Sequence, residues 1–478
     1  MRIDVTRTEA RLRLRVSAAA EAQIRKGHPW VFDESITEQN RAGVLGELAV
    51  IYDKQNRFLA IGLFDPESPL RVRILHRGSP VQIDESFWQR RLREAVEKRR
   101  ALASIANGYR LINGESDAWP GLVLDKYDST VVLKLYSAAW LDRLGDIATL
   151  INSELRPLRI ALRLSRNIQA LAQERFQRAD GTVIRGAALS GPVIFEESGL
   201  RFEADVLRGQ KTGFFLDQRE NRRQVRKLVA ERRLRTVLNA FSFSGGFSLY
   251  AAAAGAKSVV DLDISAHALE SARRNFELNC GDEPAKGSPS PLNGQRLART
   301  GDSRIEPMNR LPILPLPEGE GRGEGEGAVR VPKRPVRNGR LIGRGRTTQP
   351  HSALAVCTHQ TIQADAFEWL AQSKERFDLV ILDPPSMARR AVDRDQALVA
   401  YARLVTRAIP RLSKGGILLA CSCSAHVKET EFFDLVRRTA RKSHRSFREL
   451  LTMIQPEDHP ATFPEGRYLK SIYLELDR

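Results

Sequence analysis

Cys423 is the residue in this chain whose setting says most about chemistry. It closes the run Gly416–Ser424 (GILLACSCS), whose apolar part reads as a buried strand. Residues two apart share a strand face, so Cys421 and Cys423 point alike, with Cys423 further out where a sheet opens to ligand. A thiolate there could attack a ring carbon of a pyrimidine and make the neighbouring carbon nucleophilic. A pair of ordinary buried cysteines would read the same way. A second run, Asp378–Ser386 (DLVILDPPS), ends in Asp383-Pro384-Pro385-Ser386. Paired prolines make a rigid turn and remove two backbone donors. A fixed carbonyl and the Asp383 carboxylate could grip the edge of a planar base.

A third run, Val237–Gly246 (VLNAFSFSGG), leads from a strand into a helix through a turn of small residues. Such a turn lets backbone approach a ligand closely, although it departs from the dinucleotide G-x-G-x-x-G pattern. The next strand ends Val260-Asp261-Leu262-Asp263, and an acidic residue there commonly bonds ribose hydroxyls. Asp263 is preferred to Asp261 because it lies nearer the strand end, and Ser265 reads as the cap of the following helix. Asp365, in Ala364-Asp365-Ala366-Phe367, could accept from an adenine amino group or cap its own helix. In open α/β sheets ligands bind beyond the carboxyl ends of the strands, so these loaded ends argue for one shared site.

The elements that must position them follow from periodicity. A chain of 478 residues exceeds one core, so two or three domains are expected. Residues 1–80 have short apolar runs separated by turns, with Gly27-His28-Pro29-Trp30-Val31-Phe32 at a turn near the start, and read as a small β domain. Residues 81–195 mix a helix near Ser86–Ile105 with strands around Leu111–Tyr127, where Asn-Gly, Trp-Pro-Gly and Asp-Lys suggest turns, and read as an α+β domain. Residues 196–478 alternate strand and helix, which implies a mostly parallel sheet with helices on both faces. Residues 281–355 break that alternation. They hold ten of the 23 prolines and no Phe, Tyr or Trp, and are expected to be a disordered insertion, most simply a tolerated loop expansion.

Lys and Arg exceed Asp and Glu by 18. The insertion supplies only five of those charges, so the rest of the chain is basic in its own right and suits a polyanion such as nucleic acid. Four cysteines without paired spacings argue against disulfides, and Cys421, Cys423 and His426 make no convincing zinc site, so no metal is expected. No apolar run approaches the ~20 residues that span a bilayer, and the charged N-terminus has no signal core, which together point to a cytoplasmic protein with no membrane partner.

Taken together, these residues resemble an S-adenosylmethionine-dependent methyltransferase, and more narrowly the large-subunit ribosomal RNA cytosine-5 methyltransferase I family. The strings that carry the resemblance are Gly27–Phe32, Asn113-Gly114-Glu115-Ser116-Asp117 with Pro120-Gly121, and above all Lys211–Asn221 (KTGFFLDQREN). The resemblance implies a Rossmann-like class I methyltransferase domain of α/β type, preceded by a small PUA-like β-barrel that binds RNA and a central α+β domain. It implies that Phe243, Ser244, Gly245, Gly246, Phe247 and Asp263 hold S-adenosylmethionine, with Asp365 at the adenine and Gln218 and Arg219 near the methionine end. It further implies that Asp383, Pro384 and Pro385 hold a flipped cytosine, with Lys211 also at the substrate, and that Cys423 attacks C6 while C5 takes the methyl group. The partner would be large-subunit ribosomal RNA, and a homodimer is left open. Competing readings are methylation of another base, such as a guanine nitrogen, and a non-catalytic RNA-binding assembly factor.

Overall fold

The structure is a computed structural model that describes residues 11–280 and 353–477. The first 70 or so of these build a six-stranded sheet in the order Trp30–Val31, Val72–Arg77, Phe58–Phe64, Leu48–Tyr52, Leu12–Val16, Ile36–Gln39. Leu12, Leu14 and Val16 alternate inward, while Leu59–Phe64 are buried throughout, and Phe64, Ile51 and Ile74 join them in one core. One short helix, Ala18–Arg25, escapes the reading of this region as β; Ser17 caps it by accepting from the Ala20 N–H at 3.3 Å.

The following residues form a five-stranded sheet in the order Thr182–Gly186, Arg159–Leu164, Thr130–Leu135, Leu122–Tyr127, Gly108–Asn113. The helix Glu85–Lys98 starts where Asp84 accepts from the Phe87 N–H at 2.9 Å, and it buries Phe87, Trp88, Leu92 and Ala95 against this sheet. Trp88, Trp119 and Trp140 meet there with ring centroids 5.0–5.8 Å apart. Asp125-Lys126, read as a turn, lies inside a strand; the turn comes at Asp128, whose φ is 53°. A hairpin, Val193–Glu197 with Leu200–Ala204, follows, and the division expected between residues 195 and 196 falls inside its first strand.

The last sheet has seven strands: β1 (Thr236–Ala240), β2 (Ser258–Asp263), β3 (Thr358–Gln363), β4 (Phe377–Leu382), β5 (Leu412–Ser422), β6 (Phe447–Ile454) and β7 (Lys470–Leu476). Their order is β3-β2-β1-β4-β5-β7-β6, with β3 through β5 parallel and β7 antiparallel to both neighbours. Helices α1 (Arg219–Arg232), α2 (Gly246–Ala253), α3 (Ala266–Glu277), α4 (Ala366–Gln372), α5 (Arg394–Ala408) and α6 (Glu429–Arg441) accompany them. Both faces of the sheet are buried in apolar cores, so β1, β4 and β5 carry near-continuous aliphatic runs. The register sets Ile362, Leu262, Ala240, Leu382 and Ala420 in one row across the five parallel strands. The polar residues of the strand ends therefore all emerge just beyond that row. Residues 281–352 of the expected insertion lie outside the described residues. Residues 353–355 are placed, and Leu354 is buried in the core.

Candidate active site

The cysteine loop is held from several sides. Cys423 follows the end of β5, half-buried, and its Sγ donates to the carbonyl oxygen of Pro384 at 3.7 Å. Ser424 Oγ accepts from the Met387 N–H at 3.0 Å and the Ala388 N–H at 3.2 Å and pairs with Tyr401 Oη at 2.9 Å, which ties this loop to the Asp-Pro-Pro turn. Lys470, buried at the start of β7, donates to the carbonyl of Ser424 at 2.6 Å and also to that of Val427. Cys421 lies two residues back, fully buried beside Gln218, so Cys423 is the more accessible of the two thiols. Pro384 is buried and Pro385 exposed.

On the next strand, Asp383 accepts from Gln218 Nε2 at 2.8 Å, and Gln218 Oε1 accepts in turn from Asn221 Nδ2. Gln218 thus orients Asp383, a role different from the expected contact at the methionine end. Arg219 also departs from that expectation. It is fully buried and gives both terminal nitrogens to Asp458, at 2.8 and 3.0 Å, and its Nε to Glu220, so its guanidinium is turned to the loop that carries Asp458.

Lys211 donates to Asp217 Oδ2 at 2.7 Å, and Tyr468 Oη donates to the same oxygen at 2.8 Å. The Lys211 ammonium also lies 4.5 Å from the Phe215 ring centroid, and Phe215 meets Phe243 edge-on at 4.8 Å. Burial pushes the Cys423 thiol up to about 12, opposed by the nearby Lys211 ammonium, so the resting sulfur is a thiol. Burial and the Asp217 charge push Asp383 up to about 7. Against burial, Lys211 and His459 hold Asp217 well below the usual carboxylate range.

On the other side of β4, Asp263 Oδ2 accepts from the Phe243 N–H and Oδ1 from the Ser265 N–H, both at 2.9 Å, and the carboxylate stays half-exposed. Asp261 is instead consumed internally by Asn239, Ser248 and His359. Gly245 sits at φ 72°, and a Cβ there would lie 2.7 Å from Asp261 Oδ2 and 2.9 Å from the Ala272 Cβ. The Ser244 carbonyl is taken by Asn275, and the Phe247 side chain is buried in the core, so Phe247 can offer a ligand only its backbone. Gly246 opens α2. Asp365 caps α4 through Oδ1, accepting from the Glu368 N–H at 3.0 Å.

A family model described as S-adenosylmethionine-dependent methyltransferase matches residues 110–292, and a PUA-like domain model matches residues 14–77. A Deinococcus radiodurans ribosomal RNA large subunit methyltransferase is 46% identical over 476 residues, covering 98% of each chain. The chain belongs to this methyltransferase family. An Aeromonas salmonicida ribosomal RNA large subunit methyltransferase I is 30% identical across 95% of this chain and 96% of its own. Among solved structures, a SAM-dependent methyltransferase from Streptococcus mutans (TM-score 0.68, 17% identity, 97% of this chain and all of that one) shares the fold. So does a methyltransferase complexed with SAH (TM-score 0.70, 18% identity, with the same coverage).

The family's cofactor is S-adenosylmethionine, and the residues here fit it. Asp263 keeps lone pairs free beyond its two backbone bonds, and the buried Ser242 hydroxyl beside the Gly turn has no protein partner. No helix of the described residues is long and apolar enough to cross a membrane. Asp217, Asp458, Tyr468 and Lys470 were not singled out in the sequence. Only the Lys211–Asn221 string, which contains Asp217, gave any signal for them.

Proposed function

We propose that this chain methylates C5 of a cytosine in large-subunit ribosomal RNA through a transient covalent bond between Cys423 and C6. The observation that carries this reading is the Cys423 thiol at the Pro384 carbonyl, beside an Asp383 carboxyl poised near neutrality and a lysine ammonium. A reaction at an exocyclic amine would need no thiol at that place. The relatives' names supply the RNA class, and the net charge of +18 suits it.

In this mechanism the target base is swung out of its stack, because its C5 and C6 cannot be reached within a helix. Asp383, in its protonated form, donates to N3 and draws electrons from the ring. Cys423 loses its proton to solvent with Lys211 stabilising the thiolate, and the sulfur lone pair forms the S–C6 bond as the C5=C6 π pair moves onto C5. Bound S-adenosylmethionine supplies the electrophilic methyl group that C5 takes up. Loss of the C5 proton to a base then returns its electron pair to C5=C6 and expels the Cys423 thiolate. Phe243–Gly246 and Asp263 would hold the cofactor, with Asp365 offering its second carboxylate oxygen.

Nucleoside mass spectrometry of large-subunit ribosomal RNA, from cells with and without this protein, tests the assignment. The reading expects loss of one 5-methylcytidine. Loss of a methylated guanine, or no change, overturns it.

A further inference from the structure

Tyr136 follows the central strand Thr130–Leu135 and is 39% exposed, one of the large hydrophobic side chains left open to solvent among the described residues. It is linked through Lys134 to Lys211, the cation beside Cys423. The Lys134 ammonium sits 5.1 Å from its ring centroid and donates to the Lys211 carbonyl at 3.3 Å. Lys211 in turn lies 5.7 Å from the Tyr468 ring centroid. Lys134 is only 7% exposed and faces no carboxylate within ion-pair distance among the described residues, so its charge is offset only by a carbonyl and a ring. An exposed ring backed by an unneutralised cation suits a flat, anionic, unpaired strand: bases stack on the ring and phosphates offset the charge.

Resting on the reading above, we propose that Tyr136 is a stacking platform for the nucleotide next to the flipped cytosine. Swinging one base out strips its neighbour of a stacking partner, and a ring at this place replaces that contact. The central domain would then take part in recognising single-stranded RNA beside the target, apart from the PUA-like domain.

The experiment compares Tyr136→Ala, Tyr136→Phe and Tyr136→Trp in the full chain. The substrate is deproteinised large-subunit ribosomal RNA from cells lacking the protein. Methyl incorporation gives kcat and KM, filter binding gives RNA affinity, and calorimetry gives S-adenosylmethionine affinity. The proposal expects Tyr136→Ala to raise KM and weaken RNA binding about tenfold, within the range for loss of one base–aromatic stack. Phe and Trp should restore both, with kcat and cofactor affinity unchanged throughout. Wild-type RNA affinity in Tyr136→Ala, or failure of Phe and Trp to restore it, overturns the platform. Absence of methyl incorporation by the wild type would sink the catalytic reading instead, while filter binding still decides the role of Tyr136. If the wild type binds no RNA, both fall.

Discussion

Lys211 and Asp217 form a close ion pair, 2.7 Å from Nζ to Oδ2, and both charges act on the Cys423 thiol with opposite sign. The ammonium favours the thiolate and the carboxylate opposes it. Lys211→Met should therefore move the pH profile of Cys423 alkylation by iodoacetamide to higher pH, and Asp217→Asn should move it lower. Peptide mapping keeps Cys423 apart from the exposed Cys280 and the partly exposed Cys357. A one-unit displacement is about a tenfold change in alkylation rate below the pKa. Displacement of both variants in the same direction would contradict the electrostatic account.

Asp383 links chemistry to stability. Its folded-state pKa of about 7 lies above the unfolded carboxylate value, so the folded protein holds a proton that the unfolded chain releases. The stability this gives is present below about pH 4 and is lost as pH rises through 7. Above that, folding must keep a carboxylate out of water at a cost of roughly 2–4 kcal/mol. Asp383→Asn should be more stable than wild type at pH 8, comparable at pH 4, and devoid of methyl transfer. Thermal melts at the two pH values check this, and a variant less stable than wild type at pH 8 would contradict it.

The Arg219–Asp458 pair joins the start of α1 to the loop between β6 and β7, and both side chains are buried. Removing one partner of such a pair strands a charge, at about 3–5 kcal/mol. Arg219→Met should lower stability to urea by about that amount while S-adenosylmethionine affinity in the folded fraction changes less than about twofold. A large loss of cofactor affinity with unchanged stability would return Arg219 to the cofactor site.

Gly245→Ala should cost about 2 kcal/mol or more and weaken cofactor binding, because the new methyl meets Asp261 and Ala272 at a positive φ. Calorimetry and denaturant melts read the two effects. An alanine variant with wild-type stability would mean that the turn relaxes freely.

Two strand ends were legible because each closes an aliphatic run with residues that cannot continue a strand, Phe243–Gly246 and Asp383–Pro385; the third was legible in its small residues, although Cys421 and Ser422 continue β5 and pair with Ser471 and Lys470. Ser265 could be read as a cap for the same local reason. Strands β6 and β7 could not. Glu449 and Thr452 interrupt the edge strand β6 with exposed polar groups, and β7 is defined by pairing with β5, far away in sequence. Lys470 and Tyr468 reach the site only through that pairing. Gln218 and Arg219 were placed near the right element, yet adjacent residues at a helix start project in different directions, one to Asp383 and the other to Asp458. Nothing local in the sequence sets which way each turns.

The central claim is that the Cys423 sulfur bonds to C6 of a cytosine. Fluorine at C5 cannot leave as a proton does, so 5-fluorocytidine-substituted ribosomal RNA with S-adenosylmethionine should halt the reaction at the adduct. After nuclease digestion, mass spectrometry should then find a methylated fluorocytidine on the peptide containing Cys423, absent from Cys423→Ala. An unmodified Cys423 in protein that still methylates ordinary ribosomal RNA would contradict the account.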